Sequence, residues 1–141
     1  GLLVLSGIDA SVKDNRHVIR SEDGKAAVWV GAADDLWKLG KPRGFGGPWK
    51  NTAVQKGAPS DPYLMTGYDK KTLRLTNHGA KPVRVAVLLD VAGDGRTSAY
   101  RTFEVAAGAE ITHAFESWLN AYWVRFVADE DSVLSAQLTY E

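Results

Sequence analysis

Three groups of side chains in this 141-residue chain are of the types that support chemistry, and their spacing sorts them. The histidines, His17, His78 and His113, lie far apart and form no H-x-H or H-E-x-x-H pair, so no transition-metal ligand set is visible. His113 alternates with Ile111 and Phe115, which predicts a ring on the same side as theirs, and His78 falls in a turn. Asp90 and Asp94 bracket a glycine turn that leaves room for a structural calcium. The regular spacing and terminal glutamate of an EF-hand loop are absent, and a hairpin turn explains the pair. Asp34, Asp35, Asp61 and Asp69 are candidates for glycoside cleavage, which needs two acids about 5 to 10 Å apart. Asp34 and Asp35 are also accounted for as the acidic first turn of a helix. No G-x-S-x-G elbow and no serine beside a histidine supports a nucleophilic triad. Gly44, Gly46 and Gly47 resemble a phosphate loop in composition only, without its lysine motif.

The aromatic residues carry the stronger signal. Trp37 and Trp49 stand next to Lys38 and Lys50, in a stretch rich in glycine and proline, with Tyr63 and Tyr68 nearby. An aromatic face stacks on the C–H face of a sugar ring while neighbouring Asp, Arg and Lys bond its hydroxyls, which makes a shallow site for a neutral ligand. Trp37, Arg43, Trp49, Lys50, Asp61, Tyr63 and Tyr68 are therefore the candidate ligand-binding residues. The alternative is that both tryptophans fold inward and pin the stretch to the scaffold. Trp29, Trp118 and Trp123 lie in or beside strand-like sequence, where core packing accounts for them.

These residues need a scaffold, and the scaffold reads as β. From residue 34 to about 75 no apolar period appears before Tyr63, which predicts one long, ordered, aromatic-rich loop with a single helical turn over 34–39, capped near Ala33 or Asp34 and ended by Gly40 and Pro42. Ahead of it, Asp23-Gly24 between β-branched runs predicts a hairpin of strands 16–20 and 26–30. Beyond it, alternating runs near 72–76, 82–90, 98–105, 110–115, 122–128 and 133–140 are separated by tight turns. The expected fold is an all-β antiparallel sandwich, jelly-roll or immunoglobulin-like, in one domain over 1–141, with a closed barrel as the alternative. Its predicted core is Val28, Val30, Leu73, Leu75, the face formed by Val83, Val85, Val87 and Leu89, then Phe103, Val105, Ile111, Phe115, Val124, Phe126, Leu134, Ala136 and Leu138.

Composition narrows the function. Lysine plus arginine equals aspartate plus glutamate, 17 each, so no global field favours nucleic acid or an anionic membrane. No cysteine is present, which removes disulfides, iron–sulfur clusters, thiolate zinc sites and a cysteine nucleophile. No run approaches a membrane span. The chain opens on Gly1, and a piece of a longer protein is expected. The architecture resembles the β-sandwich carbohydrate-binding modules of bacterial polysaccharide-degrading proteins. The segments DLWKLGKPRGFGGPWK, SDPYLMTGYDKKTL and YWVRFVADEDSVLSAQLTYE also resemble the C-terminal β domain of uncharacterised secreted bacterial multidomain proteins. The first resemblance, taken with the loop aromatics, implies a non-catalytic module that binds a polysaccharide or oligosaccharide, with a catalytic domain as a further partner and no cofactor; the second carries no established activity, and a secreted or periplasmic location is expected. The alternatives are a small glycan hydrolase or lyase using the acidic residues, and a structural domain that docks on a neighbouring catalytic domain.

Overall fold

The computed structural model describes residues 1–141, the side chain of Leu39 excepted. The chain is nearly all β and clusters into two compact units, Gly1–Lys41 and Pro42–Glu141.

The first unit is a small antiparallel sheet of β1 (Leu2–Leu5), β2 (Val18–Arg20) and β3 (Ala27–Ala32), in the order β1-β3-β2. The hairpin expected at Asp23-Gly24 is present: Gly24 adopts φ 68°, and Ser21 and Ala26 close the turn through a 3.0 Å backbone bond. Trp29 is 3% exposed and stacks on His17 at 5.1 Å, while a Cβ on Gly31 would collide with the indole ring. Val28 and Val30, expected in the core, are only half-buried, because the alternation that turns Trp29 inward turns them toward the side that also carries the exposed Val4 and Ile19. A 3-10 helix, Ala33–Leu39, follows β3. Its N-cap is Ala32, one residue ahead of the expected position, because the Asp35 carboxylate reaches back to the Ala32 N–H at 3.1 Å. Gly40, at φ 87°, ends it.

The second unit is a sandwich of two antiparallel four-stranded sheets. Its strands are β4 (Gly44–Val54), β5 (Tyr63–Leu64), β6 (Lys71–Asn77), β7 (Val83–Asp90), β8 (Ser98–Val105), β9 (Glu110–Ala114), β10 (Trp123–Ala128) and β11 (Ser132–Tyr140). One sheet runs β4-β11-β6-β9 and the other β5-β10-β7-β8. The pairs β4·β11, β5·β10, β6·β9 and β7·β8 nest inside one another, which is the connectivity of a jelly roll and decides between the two sandwich types expected from sequence.

The long loop expected over 34–75 is interrupted. Residues Gly44–Val54 form an 11-residue strand at the edge of its sheet. Two register shifts against β11 add residues to β4 between Gly46 and Trp49 and between Trp49 and Thr52, and so erase the two-residue period. Pro48 is tolerated because an edge strand has one side without ladder partners. Gly47 is required because a Cβ there would run into the Ala136 carbonyl. Gln137 fills one irregularity by donating from Nε2 to the Trp49 carbonyl at 2.6 Å.

The core lies between the sheets. Leu73, Leu75, Val85, Val87, Val105, Phe126, Leu134 and Leu138 are fully buried there. Phe103 and Ile111, expected in the core, pack against it half-buried from the sheet edges. Asn77, 0% exposed, holds its centre of polarity: Nδ2 donates to the carbonyls of Lys81 (2.8 Å), Val105 (3.1 Å) and Ala106 (3.3 Å). Its Oδ1 accepts from the Gly79 N–H and the Ser132 hydroxyl, both at 2.9 Å.

Candidate functional site

Residues on β4, β11, β6 and β9 that pair across the ladder share a face, and alternate rows face outward. One outward row reads Phe45, Thr139, Thr72, Ala114, and the next reads Gln137, Arg74, Thr112. Between them a shallow depression of about 370 Å³ is lined by Phe45, Lys70, Thr72, Arg74, Thr112, Thr139 and Glu141. That volume is within the range of small-ligand sites. Phe45 is 70% exposed, so one aromatic ring stands free beside three threonine hydroxyls and three charged heads.

The charged heads are paired. Arg74 Nε lies 3.1 Å from Glu110 Oε1, and the second oxygen of Glu110 accepts from the Thr76 hydroxyl at 3.0 Å. Lys70 Nζ approaches Glu141 at 3.8 Å, and the two residues exchange backbone hydrogen bonds of 2.7 and 3.0 Å. Chemically, the face offers a stacking ring and an array of hydroxyl, ammonium, guanidinium and carboxylate groups that donate and accept hydrogen bonds. A wider recess of about 1080 Å³, among the 53–55, 79–83 and 130–133 turns, has no aromatic side chain in its lining.

The structure distributes the residues expected to bind ligand. Trp37, 85% exposed, lies on the 3-10 helix of the first unit, beside Lys38, which pairs with Asp35 at 3.0 Å. Arg43, Lys50 and Asp61 are exposed on the second unit. Trp49 is only 5% exposed and its ring lies 5.8 Å from that of Phe126, so its expected role as a stacking face is corrected to a core role. The bulges of β4 turn it inward opposite Ala136. Tyr63 and Tyr68 are half-buried and pack on Tyr140, with centroids 6.4 and 4.4 Å away. They occupy the space left by Gly46 and Gly44, where a Cβ would meet their hydroxyls. These two rings are thus wedges that close the edge of the sandwich. Trp118, expected in the core, is 75% exposed, and Trp123 is half-buried on the opposite side of β10 from Val124 and Phe126. Phe45, Thr72, Arg74, Thr112 and Thr139 were missed in the sequence. The available signal was the T-x-R alternation of β6, which marks an outward polar face but says nothing of its neighbours.

The other candidates for chemistry are held in structural roles. Asp90 accepts the backbone N–H of Gly93 (2.7 Å), Asp94 (3.3 Å) and Gly95 (2.9 Å), which makes its turn by hydrogen bonding. Asp94 pairs with Arg96. His17 Nδ1 is 2.9 Å from the Val30 carbonyl, and His78 bonds the Ser135 hydroxyl at 2.9 Å. Lys71, 4% exposed, donates to the Leu119 carbonyl at 3.2 Å, and burial lowers its pKa.

A titratable chain joins β8 to the segment after β9. The Tyr100 hydroxyl donates to Glu116 Oε2 at 2.6 Å and lies 2.8 Å from His113 Nε2, so that ring nitrogen carries the proton and donates to the phenol oxygen. Burial and then the Glu116 hydrogen bond push the Tyr100 phenol up to about 12. Burial, and then the Arg101 cation, hold His113 below the usual imidazole value, while the Tyr100 hydrogen bond lowers Glu116. No protein-family model matches the chain, and no curated protein matches it.

Proposed function

We propose that this chain is a non-catalytic carbohydrate-binding module, or an accessory domain of a polysaccharide-active protein, that holds a glycan on the outer face of its β4-β11-β6-β9 sheet. The observation that carries the reading is the exposed ring of Phe45 at the end of a row of outward hydroxyls. A sugar ring laid on Phe45 buries its C–H face, and its hydroxyls replace water on Thr139, Thr72 and Thr112. Jelly rolls include lectin domains among many unrelated functions, so the fold admits the reading without deciding it. A polysaccharide ligand goes with a secreted or periplasmic bacterial setting, as expected from the resemblance in sequence.

The test is native affinity electrophoresis of the chain through gels containing a panel of polysaccharides, with product analysis of the same samples. Retardation by at least one polysaccharide, lost in Phe45→Ala and accompanied by no new reducing ends or unsaturated products, is the expected result. Equal retardation of wild type and Phe45→Ala would remove this face from the argument.

A second reading, glycan cleavage, is favoured by the hydrogen-bonded run His113, Tyr100, Glu116, since such a run can pass a proton. Product release that disappears in Tyr100→Phe while binding persists would establish it.

A further inference from the structure

We infer that the ligand of this face is a neutral glycan, and that its carboxylates exclude uronic-acid and sulfated polymers; the inference rests on the carbohydrate reading above. Both cations that line the depression are already matched. Arg74 pairs with Glu110 at 3.1 Å, and Lys70 pairs with Glu141 at 3.8 Å. An incoming uronate or sulfate that reaches one of these exposed cations does so beside the carboxylate already paired with it. The repulsion between like charges then works against it. A sugar hydroxyl meets no such conflict. It donates to a glutamate oxygen and accepts from the guanidinium or ammonium without separating the pair, so two ion pairs become a mixed donor and acceptor surface suited to hydroxyl groups.

The neighbouring side chains agree with this. Thr72, Thr112 and Thr139 are uncharged, and each hydroxyl both donates and accepts. Glu110 is further held by Thr76, so it does not swing away from Arg74 without losing a second hydrogen bond. Four strands set about 4.8 Å apart make the face about 14 Å across, the reach of an oligosaccharide and more than a single sugar. The chain as a whole is balanced, 17 basic against 17 acidic residues, so no long-range field draws an acidic polymer toward it.

The experiment compares retention of wild type, Phe45→Ala and the double variant Glu110→Gln/Glu141→Gln on immobilised neutral polysaccharides (β-glucan, xylan, mannan) and acidic ones (polygalacturonate, alginate, heparin), at low salt and at 0.5 M NaCl. Wild type is expected to be retained by a neutral polymer with little change in salt, to lose that retention at least tenfold in Phe45→Ala, and to pass freely through the acidic polymers. The double variant frees Arg74 and Lys70 and is expected to gain retention on an acidic polymer, lost again in 0.5 M NaCl. Salt-sensitive retention of wild type on an acidic polymer, removed by Phe45→Ala, overturns the neutral assignment and leaves the carbohydrate reading standing. Retention on neither class overturns both. A double variant that behaves as wild type on every acidic polymer overturns the exclusion mechanism, and its melting curve confirms that it has folded.

Discussion

Phe45 and Trp49 are neighbours on one strand with opposite duties. Phe45 faces solvent beside Thr139, and Trp49 faces the core beside Phe126. Phe45→Ala is therefore expected to leave the melting temperature within about 2 °C of wild type, since it opens no cavity. Trp49→Ala is expected to cost about 3 to 5 kcal/mol, a large share of the stability of a small domain, and to show as a fall of many degrees in the melting temperature. The pair of melting curves checks both. The Tyr100 cluster predicts a two-sided pH profile. His113 takes up a proton less readily when folded than when unfolded, so its contribution is complete above its usual value of 6.5 and is lost as pH falls below it. Glu116, lowered from 4.5, adds a second loss at more acid pH. Tyr100 has the opposite sense: its contribution holds below pH 10 and disappears between 10 and about 12. Urea midpoints measured from pH 3 to 12 should fall at both ends, and Tyr100→Phe should make the alkaline fall shallower without abolishing it, because burial also raises the Tyr140 phenol.

At the scale of the element, β4 shows what a sequence hides. The paired glycines, the internal proline and the two bulges remove every local sign of a strand from Gly44–Val54, because the strand is specified by where β11 comes close to it and hardly at all by its own propensities. Gly47→Ala tests this: a Cβ there meets the Ala136 carbonyl, so a loss of about 1 to 3 kcal/mol is expected. Gly57→Ala, in open space at φ 72°, probes the backbone strain alone, and the larger fall in urea midpoint should belong to Gly47→Ala. Strands β6, β7, β10 and β11 were legible because one side of each is buried and the other wet, which leaves alternation in the sequence. The same alternation placed His113 beside Phe115. The candidate site was legible only in kind. Trp37 has the exposure expected of it, but the ring that stands on the polar sheet face is Phe45, and cross-strand adjacency is not written in any single stretch of chain.

At the scale of the molecule, the sandwich and the depression on it lie wholly within Pro42–Glu141. A fragment of residues 42–141 carries a complete two-sheet core, so it is expected to melt cooperatively and to retain whatever the full chain retains on polysaccharide gels. Among the described residues, Gly1–Lys41 buries little besides Trp29 and Gly31 and should not fold alone, which a flat thermal scan of that fragment would show. Within the sandwich, Asn77 bonds the turn that follows it, the end of β8 in the other sheet and the start of β11 in its own sheet. The turn lies within four residues of Asn77, but the partners from β8 and β11 meet around the amide only when both sheets are in place, and until then it is only partly satisfied. Such a group favours the finished sandwich over intermediates that lack one sheet. It works as an assembly checkpoint: the native-state amide exchange of Asn77, Ser132 and Val105 should proceed through one shared, global opening, and in Asn77→Val the same amides should begin to exchange independently.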